Sequence, residues 1–104
     1  SIGESEPYTH AYEIAIQNED VKTALGEPIE TSFVGSNTKY NYSNGETKIE
    51  MTIPLKGSKN DGFIHVLGTK VDGIWDYSKL YVDVTNDNED INLLEENVEV
   101  EEGF

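Results

Sequence analysis

The sequence predicts an α+β fold, with an N-terminal amphipathic helix or helix pair packed on a twisted antiparallel sheet of about five strands. Apolar residues recur at helical spacing as far as Gly26, and from Pro28 onward they alternate with polar residues. Short turn sequences such as Asn44-Gly45 separate the alternating segments. At 104 residues the chain has the size of one domain.

The helical pattern begins at Pro7, because proline is tolerated where the first amides of a helix have no acceptor. Asn18 followed by two acids is typical of a helix start, so the pattern predicts two helices, over residues 7–17 and 19–25. Glycine and proline at 26–28 then end the helical region. The apolar face comprises Ala11, Ile14, Ala15, Val21, Ala24 and Leu25.

A period of two predicts strands after the helices, in the segments 29–33, 38–42, 48–55, 63–67 and 75–84. Asn44-Gly45 and Asp72-Gly73 predict hairpin turns, because both dipeptides readily adopt positive φ angles. Segment 63–67 is apolar on nearly both sides and is expected to be central. Pro54 has no amide proton, so we expect it on a sheet edge or at a strand end.

The last predicted strand changes parity partway along its length. Trp75 and Tyr77 point one way, whereas Leu80, Val82 and Val84 alternate in the opposite register. A period-two pattern that slips by one residue needs an extra residue, so a bulge or bend is predicted near Ser78-Lys79.

Charge divides the chain into two parts. Residues 86–104 carry eight acids and no base, whereas residues 1–85 contain all seven lysines. We therefore predict a single α+β domain over 1–85 and an acidic C-terminal extension over 86–104 that is partly disordered or forms one short extra strand.

Composition excludes several classes of function. The formal net charge of −14 repels phosphate backbones, so nucleic acid is not an expected partner. The absence of cysteine excludes disulfides, thiolate metal sites and cysteine nucleophiles. The sequence opens at Ser1 without an initiator methionine, and we expect it to be a fragment whose membrane anchor or targeting segment lies upstream.

No residue pattern predicts a catalytic, cofactor-binding or metal site. His10 and His65 have no partners at ligand or triad spacing; we expect His10 to be exposed on its helix and His65 to pack locally. A calcium loop starting at Asn86 would place Ile91 where glycine is required. The acids Asp83, Asp87, Glu89 and Asp90 leave only weak, nonspecific cation binding open, and carboxylate pairs such as Glu50 with Asp76 arise by chance in so acidic a chain.

Two further features have competing interpretations. The loop Lys56–Gly62 contains two lysines and two glycines and could hold an anion, but turn formation is favoured, because no helix follows it. Tyr40 and Tyr42 share a strand face; a half-buried core position is favoured over an interface. The remaining tyrosines are Tyr8, Tyr12, Tyr77 and Tyr81.

An ordered set of short motifs resembles one protein family. The motifs are Tyr12-Glu13-Ile14-Ala15, Val21 to Ile29 with its Leu-Gly-Glu-Pro helix stop, Ile53 to Lys59 with its Pro-Leu-Lys-Gly strand end, Gly62, Gly73-Ile74-Trp75 and Leu80-Tyr81-Val82. Over residues 8–85 the chain resembles the cytochrome c oxidase assembly factor one family, whose fold is similar to the intermembrane-space domain of the mitochondrial translocase subunit twenty-one. A bacterial relative is expected.

The resemblance implies a noncatalytic, membrane-tethered domain that helps to assemble a respiratory or envelope membrane complex through protein contacts. Its implied partners are subunits of that complex, its implied location is extracytoplasmic, and no cofactor belongs to the pattern. No functional residue is carried over from the family. Two alternatives remain open: a lipid-anchored envelope accessory lipoprotein, and a small carboxylate-dependent hydrolase or ligand-binding protein.

Overall fold

The computed structural model describes residues 6–32 and 34–94. Two helices precede six antiparallel strands in an open sheet. The helices are α1 (Pro7–Gln17) and α2 (Glu19–Leu25), and the strands are β1 (Glu30–Thr31), β2 (Asn37–Ser43), β3 (Glu46–Lys56), β4 (Asp61–Val71), β5 (Ile74–Val84) and β6 (Ile91–Asn92).

The two predicted helices and the residue that separates them are confirmed. The Asn18 side-chain oxygen accepts a hydrogen bond from the Val21 amide at 3.0 Å, which satisfies one of the unpaired amides at the start of α2. Gly26 ends α2 at φ 76°, a left-handed conformation that favours glycine.

In the part of the chain that the structure describes, the sheet has six strands, against about five predicted for the domain, and the sixth lies in the predicted C-terminal extension. Its order is β1-β3-β4-β5-β6, and β2 also pairs with β3, beside β1. β4 is central, as its apolar pattern predicts. The additional strand is β6, which pairs with Tyr81 and Val82 of β5. Predicted strand 29–33 is reduced to Glu30–Thr31, and Phe33 lies outside the described residues, as do residues 95–104 of the acidic extension.

Pro54 occupies neither an edge strand nor a strand end, so that expectation is wrong. It lies inside β3, opposite Phe63 of β4. On the other side of β3, pairing with β2 stops at Thr52 and pairing with β1 begins at Leu55. The missing amide proton therefore falls in the gap between β1 and β2, and the Pro54 carbonyl accepts a hydrogen bond from the Thr31 hydroxyl at 2.8 Å.

The predicted bulge in β5 is confirmed. Leu67 pairs with Lys79 and Gly68 pairs with Tyr77, so Ser78 is the extra residue. The insertion places Trp75 on the same side of the sheet as Leu80, where both are buried. This side of the sheet forms one core with the helices, comprising Ala11, Ala15, Val21, Leu25, Ile29, Ile49, Met51, Ile53, Leu55, Ile64, Val66, Trp75, Leu80, Val82, Val84 and Leu93.

The loop after β3 closes the end of α2. The amides of Lys59 and Asn60 donate to the Leu25 carbonyl at 2.7 and 3.1 Å, and the Ser58 amide donates to the Gly26 carbonyl at 2.9 Å. These bonds satisfy carbonyls that have no partner within the helix. The loop amides are thus engaged by the protein itself, and turn formation, rather than anion binding, accounts for the segment Lys56–Gly62.

Gly57 is required by this close approach. A Cβ atom at Gly57 would collide with the Leu25 carbonyl oxygen, a backbone atom that cannot rotate away. We expect Gly57→Ala to lower the free energy of unfolding by about 1–3 kcal/mol through forced displacement of the loop. Urea unfolding measures the change. The control is Ser58→Ala, at the exposed neighbouring position, which should cost less than about 0.5 kcal/mol; equal effects of the two substitutions would contradict this account.

Candidate functional site

Strand β2 forms an open edge of the sheet. All seven of its residues pair with β3, from Asn37 opposite Thr52 to Ser43 opposite Glu46. Within residues 6–32 and 34–94, no strand pairs with its other side. We call this strand, Asn37–Ser43, the β2 edge. A row of unpaired backbone groups at such an edge is a template for another extended chain.

Two tyrosines project from the β2 edge into solvent. Tyr40 lies opposite Ile49 and Tyr42 opposite Thr47, so both are on the side of the sheet that carries the helices. Their exposed fractions are nevertheless 71% and 74%. The core position favoured from the sequence is therefore wrong for both, because α1 contacts β4 and β5 and α2 contacts β5, which leaves β2 uncovered.

The β2 edge also lies in the least acidic part of the chain. Residues 31–45 contain no Asp or Glu, whereas the whole chain contains 21. Exposed tyrosine together with depletion of acidic side chains is the compositional signature of a protein interface. This acid-free interval was visible in the sequence, but its importance depends on knowing that strand β2 is an edge.

The opposite edge of the sheet is built differently. There β5 is interrupted by the bulge at Ser78 and covered in part by β6, and the connection between them carries Asp87, Glu89 and Asp90. Bulges, short edge strands and charges all discourage the addition of another strand. Among the described residues, the edge formed by β5 and β6 is thus protected, whereas the β2 edge is open.

His10 is buried, which contradicts its expected exposure on α1. Its side of α1 faces the sheet, where its ring stacks on Tyr77 with centroids 4.7 Å apart and 8% of the residue exposed. Burial lowers the pKa of His10, and Glu13 partly opposes the shift. Burial, with a smaller contribution from Glu6, raises the pKa of Tyr77 to about 12.

His65 packs locally, as predicted. Its ring stacks on Tyr81 with centroids 4.9 Å apart, on the side of the sheet away from the helices. Its Nε2 atom lies 3.7 Å from Oδ2 of Asp83. The two histidines are therefore on opposite sides of the sheet and do not form a common site.

The carboxylates considered from the sequence are not brought together in one centre. Glu50 lies on β3 opposite Leu67, and Asp76 lies on β5 opposite Thr69, so β4 separates them. Strand spacing places their backbones about 10 Å apart. Asp87, Glu89 and Asp90 line a shallow groove with Asp20, away from Asp83. In the part of the chain that the structure describes, no group of three or more His, Asp or Glu side chains is arranged to hold a metal.

Comparison with known proteins identifies a family. The model of the family described as cytochrome oxidase complex assembly protein 1 matches residues 1–95. No curated protein and no solved structure matches the chain significantly. Among the described residues, neither helix has the length and apolar character needed to cross a membrane.

The exposed tyrosines should contribute little to folding. We expect Tyr40→Ser and Tyr42→Ser each to change the free energy of unfolding by less than about 1 kcal/mol, because most of each side chain is already in water. Ile49→Ala is the matched control, since Ile49 lies opposite Tyr40 but is only 3% exposed, and its truncation should cost about 2–5 kcal/mol. Urea unfolding compares them; a cost for the tyrosines as large as that for Ile49 would place them in the core.

Burial of neutral His10 should make stability depend on pH. Its pKa in the folded chain lies below the ordinary value of 6.5, so the unfolded chain takes up the proton first as pH falls. The stabilising contribution is present above that value and is lost as pH decreases below it. We expect His10→Phe, which keeps a ring against Tyr77, to lose less stability than the unmodified chain between about pH 8 and about pH 5. Parallel urea unfolding of both proteins measures the difference, and identical pH dependences would contradict the expectation.

Proposed function

The chain belongs to the cytochrome oxidase complex assembly protein 1 family, and on that basis we propose that it assists assembly of cytochrome oxidase by binding oxidase subunits through the β2 edge. The observation that carries the proposal is the exposure of Tyr40 and Tyr42 on an acid-free strand whose outer side pairs with no other described strand. Tyrosine supplies a large contact area that is apolar over its ring and polar at its hydroxyl. Such a side chain suits a surface that is exposed to solvent in the free protein and buried in the complex.

The proposed role is noncatalytic. It requires a surface that holds a subunit while the complex is being completed, and not a reacting centre. The family description supports this role, because assembly rather than a chemical conversion is the activity it names. The separation of Glu50 from Asp76 by β4 also removes support for this pair as the centre of the hydrolase alternative.

Membrane attachment is part of the same proposal. A protein that assists a membrane-embedded oxidase would act most effectively when tethered beside it, since a tether raises the effective concentration of the two partners. We place the anchor in a segment outside this chain and the α+β domain on the extracytoplasmic side of a bacterial membrane. Family membership supports an association with cytochrome oxidase, and the membrane arrangement is part of our proposal.

Photocrosslinking in native membranes tests the proposal. The full-length protein would carry Tyr40→p-benzoylphenylalanine, and crosslinked products would be identified by mass spectrometry. We expect cytochrome oxidase subunits among the products, because the proposal places a bound subunit against this side chain. The matched control carries Glu13→p-benzoylphenylalanine on the exposed surface of α1, and should give no such product.

Two results would contradict the proposal. One is the absence of any oxidase subunit crosslinked from position 40 while the protein is folded and membrane-bound. The other is equal crosslinking of oxidase subunits from positions 40 and 13, which would show that proximity in the membrane, and not the β2 edge, determines the products.

A further inference from the structure

The hairpin geometry determines which backbone groups of the β2 edge point outward. Asn44 and Gly45 connect β2 to β3 with φ angles of 53° and 78°, the positive pair that defines a type I′ turn. The residues that flank such a two-residue loop exchange two hydrogen bonds, so Ser43 and Glu46 form a hydrogen-bonded pair. Hydrogen-bonded and non-hydrogen-bonded pairs alternate along an antiparallel ladder, so Asn41, Lys39 and Asn37 also direct their amides and carbonyls toward β3.

The intervening residues of β2 direct their amides and carbonyls away from β3. These residues are Thr38, Tyr40 and Tyr42. The two exposed tyrosine rings therefore belong to the same residues that present free backbone donors and acceptors. The β2 edge offers three amides and three carbonyls at a regular spacing, together with aromatic side chains on one side.

Contacts elsewhere in the sheet agree with this assignment. Continuing the alternation along β3 directs the Pro54 carbonyl toward the side of β1 and β2, and there it accepts the Thr31 hydroxyl at 2.8 Å. The second hairpin gives an independent check. Its turn at Asp72-Gly73 makes Val71 and Ile74 a hydrogen-bonded pair. Alternation along β5, with the extra residue at the bulge included, then directs the Leu80 carbonyl away from β4. That carbonyl accepts a hydrogen bond from the Leu93 amide at 2.8 Å.

We propose that the partner binds by strand addition: an extended segment of a different protein, about five to seven residues long, pairs with the outward backbone groups of Thr38, Tyr40 and Tyr42. This inference rests on the proposed function and specifies its binding mode. Main-chain hydrogen bonds hold the segment. Its side chains on the helix side pack against the two tyrosine rings.

Charge and side-chain chemistry define the segment. It carries apolar or aromatic residues at alternate positions, facing Tyr40 and Tyr42, and it contains no acidic run. Lys39 is the only charged residue of the β2 edge and lies on the opposite side of the strand from Tyr40 and Tyr42, so a neutral segment meets no like charge beside the tyrosine rings. The whole chain, with a formal net charge of −14, attracts a neutral to basic partner and repels a second copy of itself.

A proline substitution tests strand addition separately from side-chain contact. Thr38→Pro removes one outward amide and leaves Tyr40, the aromatic side chain at position 42 and the hydrogen bonds to β3 in place; proline is tolerated at such edge positions. Thr38→Val is the matched control, because it changes the side chain but keeps the amide. Each would be combined with Tyr42→p-benzoylphenylalanine in the full-length protein in native membranes. We expect Thr38→Pro to lower the yield of the oxidase-subunit crosslink about threefold to tenfold, and Thr38→Val to leave it within about twofold.

A stability measurement checks that the amide of Thr38 points outward. Thr38→Pro should unfold at nearly the same urea concentration as the unmodified protein. Lys39→Pro removes an amide that faces β3 and should unfold at a clearly lower concentration. Equal destabilisation by the two substitutions would overturn the assignment of outward groups and the inference with it.

Hydrogen exchange gives a second readout that side-chain docking would not produce. The probe is a synthetic peptide covering the crosslinked segment of the oxidase subunit, added to the isotopically labelled full chain. We expect slower exchange at the amides of Thr38, Tyr40 and Tyr42, while the amides of Lys39 and Asn41, already bonded to β3, change little.

The outcomes separate failure of this inference from failure of the proposed function. If oxidase subunits crosslink from position 42 but the yield is unaffected by Thr38→Pro, the β2 edge binds them by side chains alone and strand addition is wrong. If no oxidase subunit crosslinks, the proposed function itself is wrong. Crosslinks from position 42 to a second copy of the chain, or to its own residues 95–104, would assign the edge to another occupant and overturn the inference.

Discussion

The position of the helices depends on one backbone junction. The Leu25 carbonyl at the end of α2 accepts amides from Lys59 and Asn60, while Gly57 lies so close to the same carbonyl that a side chain cannot be accommodated. The segment 57–60 is the connection between β3 and β4, the strands at the middle of the sheet. The junction therefore holds the C-terminal end of α2 beside the connection between the two middle strands. With this end fixed, the apolar faces of both helices lie against the sheet.

This placement explains the division of the sheet into covered and uncovered parts. The helices reach β4 and β5, and the core closes around Ile64, Val66, Leu80 and Val82. Two short helices cannot also cover β2, which lies on the far side of β3. Tyr40 and Tyr42 are thus left in water, although they are on the same side of the sheet as the core. The candidate interaction surface follows from the limited reach of the helical layer.

The local features of the fold were predictable because adjacent residues determine them. Asn18 as a helix cap, the turns at Asn44-Gly45 and Asp72-Gly73, and the extra residue at Ser78 all follow from spacing in the sequence. Features that depend on which distant segments meet were not predictable. The sequence at Pro54 favours a sheet edge or a strand end, because it does not reveal a gap between two partner strands. A polar ring such as His10 favours an exposed position on its helix, because the sequence does not show that Tyr77 lies against it.

The candidate site illustrates the same limit. The tyrosine pattern and the acid-free interval 31–45 are both present in the sequence, but each is compatible with a core strand. Only the order of the strands shows that β2 is an edge and that its rings are exposed. Family membership names the process, and the sheet topology indicates where a partner can be held.

The interruption between β1 and β2 has a mechanical consequence. Because β1 and β2 pair with separate parts of β3, tension applied to β2 by a bound segment passes into β3 without loading β1 directly. A pull along the strand direction would load all seven residue pairs between β2 and β3 at once, so the force is shared along the whole length of β2.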